Sequence, residues 1–347
     1  MSRFLLILSM LLSIVVVVES VYIYHYPPTF LKSVIKTPPT PKPLLAYAFS
    51  NLQKTKIPTS NITLGSVVDD QTNYRSQIFY YSTPEKPNST KMLKVSGLMN
   101  LPQTPGKYPV IVMFRGFVPD NIYKPGVGTE PVAQVLAQHG YITLAPDFLG
   151  YGQSASASAE AFENRFQTYT TALSMLSSLA TLNTGLATDY SGTISADMTK
   201  IGIWGHSNGG HIALSTLAIS GVTYPTVLWA PVSTSFPYDI LAYTDESDDQ
   251  GKSLRKILAQ FETLYNTDDF SPTNFYSWIK APMEIDQGTA DEEVPYWWSD
   301  NLVQTLKKDK IDVTYNTYAG ADHNMLPSGW SSAVTNDISF YNKQFSK

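Results

Sequence analysis

The sequence predicts an α/β protein built on a doubly wound, mostly parallel sheet, with antiparallel strands at its amino-terminal side and a helical lid insert. Three observations point there. From Pro109 onward, six apolar runs (PVIVMF, YITLAP, KIGIWG, PTVLWAP, PMEID and DVTYNTY) alternate with amphipathic helical stretches. Ahead of them, ITLGSVV, YRSQIFYYS and MLKVSGLMN are β-rich runs parted by turn residues, as antiparallel strands are. Finally, 43% apolar and 15% charged residues over 347 positions suit a chain with a large buried core, and exclude disorder, coiled coil and collagen.

Taken in order, the first stretch is unlike the rest. Phe4 to Val18 form an uncharged, almost wholly apolar run, preceded by Arg3 and followed by Glu19 and Ser20. This is the core of an export signal, and residues 1–24 are expected to act as a signal or membrane anchor. The run is short for a hydrocarbon core of roughly 30 Å unless Val21 to Ile23 extend it, so retention as an anchor and cleavage are the two alternatives. Residues 25–44 carry the proline-dense TPPTPKP stretch, an extended spacer. Residues 45–347 then form the body. Within it, 232–280 is too long for a plain connection between PTVLWAP and PMEID, and is expected to be a lid.

Charge and cysteine content narrow the function. With 24 basic against 29 acidic residues the net charge is -5, which argues against nucleic acid as a partner. The absence of cysteine removes disulfides, thiolate nucleophiles, zinc ribbons and iron–sulfur clusters.

One motif carries chemistry. In KIGIWGHSNGGHIAL, Gly205, Ser207 and Gly209 have the G-x-S-x-G spacing, entered by a buried strand and left by a small-residue helix. Such a strand–turn–helix holds serine in a strained, exposed position, and side chains at the glycines would collide with the neighbouring strand and helix. On these residues the chain resembles the α/β-hydrolases, near the prolyl oligopeptidase and dienelactone hydrolase branches, over about residues 60 to 345. The resemblance implies a serine hydrolase with no metal or organic cofactor, whose nucleophile Ser207 is followed by an acid and then a histidine. GTADEEVP after the PMEID strand points to Asp291, and GADHN points to His323. Of the five histidines, only His323 follows the acid. Asp286, Glu292, Glu293 and Asp322 are the rival acids, each with an alternative role as a solvated or loop-capping carboxylate. His206 fills the variable elbow position, and His211 is expected to make a structural hydrogen bond.

The resemblance further implies an oxyanion hole formed by the backbone amides of Asn208 and of Phe117, in the stretch Phe114-Arg-Gly-Phe. Prolyl oligopeptidases have a tyrosine hydroxyl donor where this chain has Phe114, which favours esters over peptides. Arg115 is expected in a structural ion pair, and Asp147 in a turn-holding role, paired with Arg165. Aromatic residues of the insert, with Trp297 and Trp298, are candidates for an acyl pocket, although most are expected to pack the insert onto the body. The expected partner is a small or polymeric ester, with a peptide as the alternative. A non-catalytic binding protein is a third reading, disfavoured by the intact Ser, Asp, His set. GVGTEP lacks the last glycine of a dinucleotide fingerprint, GKS lacks the earlier glycine of a phosphate loop, and Asp245, Glu246, Asp248 and Asp249 depart from calcium-loop spacing.

Overall fold

The computed structural model describes Val21, residues 41–244 and residues 247–347. The expected anchor and most of the expected spacer lie outside these residues, as do Asp245 and Glu246. Among the described residues, no helix is long and apolar enough to cross a membrane. Pro43–Lys347 is one compact unit.

Among the described residues, nine strands form a single sheet in the order β1-β2-β3-β5-β4-β6-β7-β8-β9. β1 (Thr63–Asp70), β2 (Tyr74–Pro84) and β3 (Met92–Pro102) are antiparallel, and β3 also meets β5 antiparallel. β4 (Gly106–Phe114), β5 (Ile142–Pro146), β6 (Ile194–His206), β7 (Thr226–Trp229), β8 (Met283–Gly288) and β9 (Val313–Tyr318) run parallel. The predicted strands are therefore all present. β6 begins earlier than KIGIWG, because the mixed-polarity segment from Ile194 pairs with the start of β4, ahead of a register shift.

Among the described residues from Pro43 onward, the helices are α1 (Phe49–Leu52), α2 (Glu130–Gln138), α3 (Ala161–Ser178), α4 (Leu182–Tyr190), α5 (Asn208–Ser220), α6 (Tyr238–Leu241), α7 (Lys252–Glu262), α8 (Tyr296–Lys308) and α9 (Trp330–Phe345). They cover both faces of the sheet, and β4 shows why. Val110, Val112 and Phe114 join a core with α3, α4, α5 and α8, whereas Ile111 and Met113 join a second core with α2 and α9. A strand buried on both faces reads as a continuous apolar run, which is how β4 reads.

Between β7 and β8, the insert holds α6, α7 and two short 3-10 turns. Its aromatics mostly point inward: Phe236, Phe261 and Phe270 pack with Phe162 and Phe166 of α3, and Phe275 stacks on Phe49 at 4.9 Å. These four fasten the insert to the body rather than lining the cavity.

Candidate active site

Ser207 sits between the end of β6 and the start of α5 with φ 56° and ψ -122°, a conformation that costs a non-glycine residue roughly 1–3 kcal/mol. Its surroundings hold it there. The amide of Ser207 donates to the Trp229 carbonyl (2.9 Å), and its own carbonyl accepts from the amides of Gly210 (2.9 Å) and Val232 (3.0 Å). The glycines are obligatory for close approach: a Cβ on Gly209 would stand 1.9 Å from the Phe114 carbonyl oxygen, and one on Gly205 would stand 2.7 Å from that of Gly209.

The turn after β4 reaches the same point. A Cβ on Gly116 would meet the Ser207 Cβ at 3.1 Å, so this position also needs a small residue. Gly116, Phe117, Ser207, Asn208 and His323 all border one cavity of about 1120 Å³. Phe117 leaves its ring 75% exposed, and the adjacent Val118 is buried. Phe114, by contrast, is fully buried against Phe148 (6.0 Å) and does not border the cavity. Its missing hydroxyl, read from sequence as favouring esters, is thus a property of the core rather than of the cavity wall.

His323 lies on the loop after β9, and its Nδ1 is 2.9 Å from Asp291 Oδ2. A carboxylate accepts, so Nδ1 carries a proton, which leaves Nε2 as the nitrogen that can act as a base. Asp291 is held in turn by the Gln287 side-chain amide at Oδ2 (2.9 Å) and by the amides of Glu293 (2.9 Å) and Val294 (2.8 Å) at Oδ1. Burial pushes the Asp291 pKa up, but the hydrogen bond and charge of His323, with these donors, outweigh it and leave the pKa lowered. Asp291 is ionised at neutral pH.

The rival carboxylates are elsewhere engaged. Asp322 caps its own loop, taking the amides of Asn324 and Leu326 at 2.8 Å each. Asp286 is buried beside Glu284 and Asp337 in a group whose oxygens lie within 4.8 Å of one another. Glu292 is exposed, and Glu293 borders the cavity. Among the other histidines, His25 is outside the described residues. His139 closes α2 onto the Val135 carbonyl, and His211 is 2.8 Å from the Tyr169 hydroxyl, a structural bond as expected.

Two expected pairings are corrected. Asp147 does not pair with Arg165; it accepts from the hydroxyls of Ser96 and Tyr123, both at 2.6 Å. Arg165 instead pairs with Asp239 of the insert, next to His211, and this ion pair ties α3 to α6. Arg115 forms no ion pair among the described residues. Its guanidinium lies over Tyr151 (4.1 Å) and Tyr123 (4.7 Å) and donates to the carbonyls of Gly116 and Asp147. Flat cation and aromatic faces suit each other, and this clamp orders the turn that borders Ser207.

The cavity wall is mainly apolar: Trp204, Trp229 and Trp330 contribute to it, with Val132 and Leu326. From the insert, Ile240 and Tyr243 reach it. Of the aromatics singled out in the sequence, Trp298 packs behind this wall against Tyr238 and Tyr243, and Trp297 is exposed. Trp204 and Trp229 were not singled out from sequence, because they sit in strand runs that read as plain core.

A doubly wound sheet with an antiparallel edge, a nucleophile-type elbow after β6 and an acid and a histidine after the last strands define an α/β-hydrolase fold. Residues 128–347 match the prolyl oligopeptidase family, and the chain belongs to that family. No match was found among curated protein sequences. Similar solved structures include an acetyl xylan esterase from Paenibacillus sp. R4, with 16% identity, a TM-score of 0.57, and coverage of 91% of this chain and 99% of that one. The cell wall degrading esterase LipA from Xanthomonas oryzae is similar at 14% identity and a TM-score of 0.53, covering 83% and 99%. A putative hydrolase from Legionella pneumophila has 18% identity and a TM-score of 0.53, covering 80% and 91%. At these identities the likeness concerns the fold.

Proposed function

We propose that the protein is a serine esterase that forms an acyl-enzyme on Ser207. The observation that carries this reading is the 2.9 Å contact between His323 Nδ1 and Asp291 in a loop pair that borders the same cavity as the strained Ser207. His323 Nε2 takes the Ser207 proton as Oγ attacks the ester carbonyl, and the Asp291 carboxylate stabilises the imidazolium. The amides of Phe117 and Asn208 receive the oxyanion. Collapse expels the alcohol with the proton returned by His323, and water activated by the same imidazole then releases the acid.

The three tryptophans and the aliphatic residues of the wall suit an ester with a bulky apolar or aryl acyl group. The turn Gly116–Val118 offers only backbone donors, which suits an ester's better leaving group. A polymeric ester is compatible, since the exposed Phe117 borders the cavity. Residues 1–24 export the chain and hold it at a membrane in this reading.

Ser207→Ala is expected to abolish hydrolysis of a short aryl ester and labelling by a fluorophosphonate. Full activity in that variant, or labelling at another residue, overturns the reading. Membership of the prolyl oligopeptidase family supports peptide hydrolysis as a second reading. A panel of proline-containing peptides set against aryl esters separates the two.

A further inference from the structure

Between Gly205 and Ser207, the side chain at position 206 faces the loop that carries His323. His206 Nε2 lies 2.9 Å from the His323 carbonyl oxygen. A carbonyl only accepts, so His206 donates through Nε2 and its tautomer is set. The two imidazoles also pack together, with centroids 4.5 Å apart and planes inclined by 37°. Trp204 stands 6.1 Å away on β6, and His206 is 9% exposed, which leaves its ring little freedom to rotate.

The other bonds of the His323 loop tie it to itself and to the acid loop. Asp322 closes the turn on Asn324 and Leu326, and the Ala290 amide donates to the Ala321 carbonyl at 2.9 Å. Neither bond reaches the elbow. His206 does, because its backbone adjoins Ser207 while its ring holds the backbone of His323.

We propose that His206 is a positioning residue, which fixes the His323 imidazole at the separation from Ser207 that proton transfer requires. This rests on the serine esterase reading. Two properties of the contact make a histidine suitable there: it reaches the carbonyl with a donor, and it gives the imidazole a flat neighbour. Burial, then the nearby charge on His323, push the pKa of His206 down to about 4, although the His323 carbonyl, Asp291 and Asp322 pull the other way. The ring therefore stays neutral and places no second cation beside His323 when that residue takes the serine proton.

Three variants test the role. His206→Phe keeps a ring and removes the donor, His206→Asn is too short to reach the carbonyl, and His206→Gln places an amide N–H near the position of Nε2. Each is measured for kcat and KM on an aryl ester, for the rate of fluorophosphonate labelling, and for thermal midpoint. The Phe and Asn variants are expected to lose roughly ten- to a hundredfold in kcat with KM little changed, as small misplacements of a base do, while still labelling once at Ser207. The Gln variant is expected to recover most of the loss. Wild-type kcat in the Phe or Asn variant overturns the proposal, and so does a Gln variant no better than Asn at equal thermal midpoint. If the Phe variant fails to fold, the Gln and Asn pair decides. Absence of labelling at Ser207 in the unmodified protein defeats the underlying esterase reading instead.

Discussion

Asp286 and Asp291 stand on either side of the end of β8, and their surroundings have opposite electrical character. Asp291 meets an imidazole, a side-chain amide and two backbone amides, and its pKa is lowered. Asp286 meets two other buried carboxylates. Tyr318 (2.5 Å) and Asn316 (3.0 Å) donate to its Oδ1, the indoles of Trp204 (3.2 Å) and Trp229 (3.1 Å) donate to Asp337, and Glu284 Oε1 and Asp286 Oδ2 are left without a partner. No salt bridge reaches the three among the described residues. Burial, and for Glu284 and Asp337 also the charge of Asp286, raise all three pKa values. The same residue type is thus an anion in one place and a proton holder in the other. What separates them is the set of donors and charges that the fold supplies.

The strongest way to break this comparison is to neutralise each aspartate. Asp291→Asn is expected to lower kcat by about 10⁴-fold with the fold intact, because the amide favours the wrong imidazole tautomer. Asp286→Asn is expected to leave most of the activity, since its carboxyl touches neither His323 nor the cavity; steady-state kinetics on an aryl ester compare the two. A collapse in the Asp286 variant matched by survival of the Asp291 variant would reverse their roles.

A second, smaller effect sharpens the contrast through pH. For an acid whose folded pKa is raised, the native state binds more protons than the unfolded chain, so stability is fully present below about pH 4 and declines as pH rises through the raised folded values. Denaturant melts from pH 4 upward should lose on the order of a few kcal/mol from this group, since each tenfold gain in proton affinity on folding is worth about 1.4 kcal/mol. Glu284→Gln is expected to flatten that decline, and an unchanged slope would show that the cluster holds no extra proton. Asp291 has the opposite sign: its contribution is present above the ordinary carboxylate pKa and disappears as pH falls through the lowered value. Asp291→Asn should therefore remove part of the acid-side loss and leave the alkaline side alone.

The smallest effect is expected at Asp322. Asp322→Asn keeps an oxygen to accept the amides of Asn324 and Leu326, so kcat should stay close to that of the unaltered protein. A large drop would mean that the carboxylate beside His323 has a part in the reaction that its loop-capping geometry does not suggest.

Much of the fold was legible from local pattern. Strand period, apolar runs and turn residues mark nine strands, because burial on one or both faces leaves its period in the chain. The elbow was legible too, since the collisions that demand Gly205 and Gly209 arise from residues close in sequence or from the adjoining strand. Asp291 and His323 came from their loops and their order after Ser207. Less visible was everything that depends on which distant side chains meet. Arg165 finds Asp239 instead of Asp147, and Arg115 finds aromatic faces instead of a carboxylate. Phe114 turns into the core. In strand PMEID, Asp286 read as a rival acid or a solvated or capping carboxylate, and nothing local links it or Glu284 to Asp337 on the last helix.

By itself, the amino-acid order determined the alternating architecture, the strained serine turn and the types of group available for acid–base chemistry, because sterics and hydrophobic period act over a few neighbouring residues. Tertiary structure decided which carboxylate keeps its charge, which histidine meets Asp291 and which tryptophans face the cavity. Those outcomes depend on burial and on partners brought from far along the chain, and electrostatic energy is set by distance in space rather than by separation in sequence.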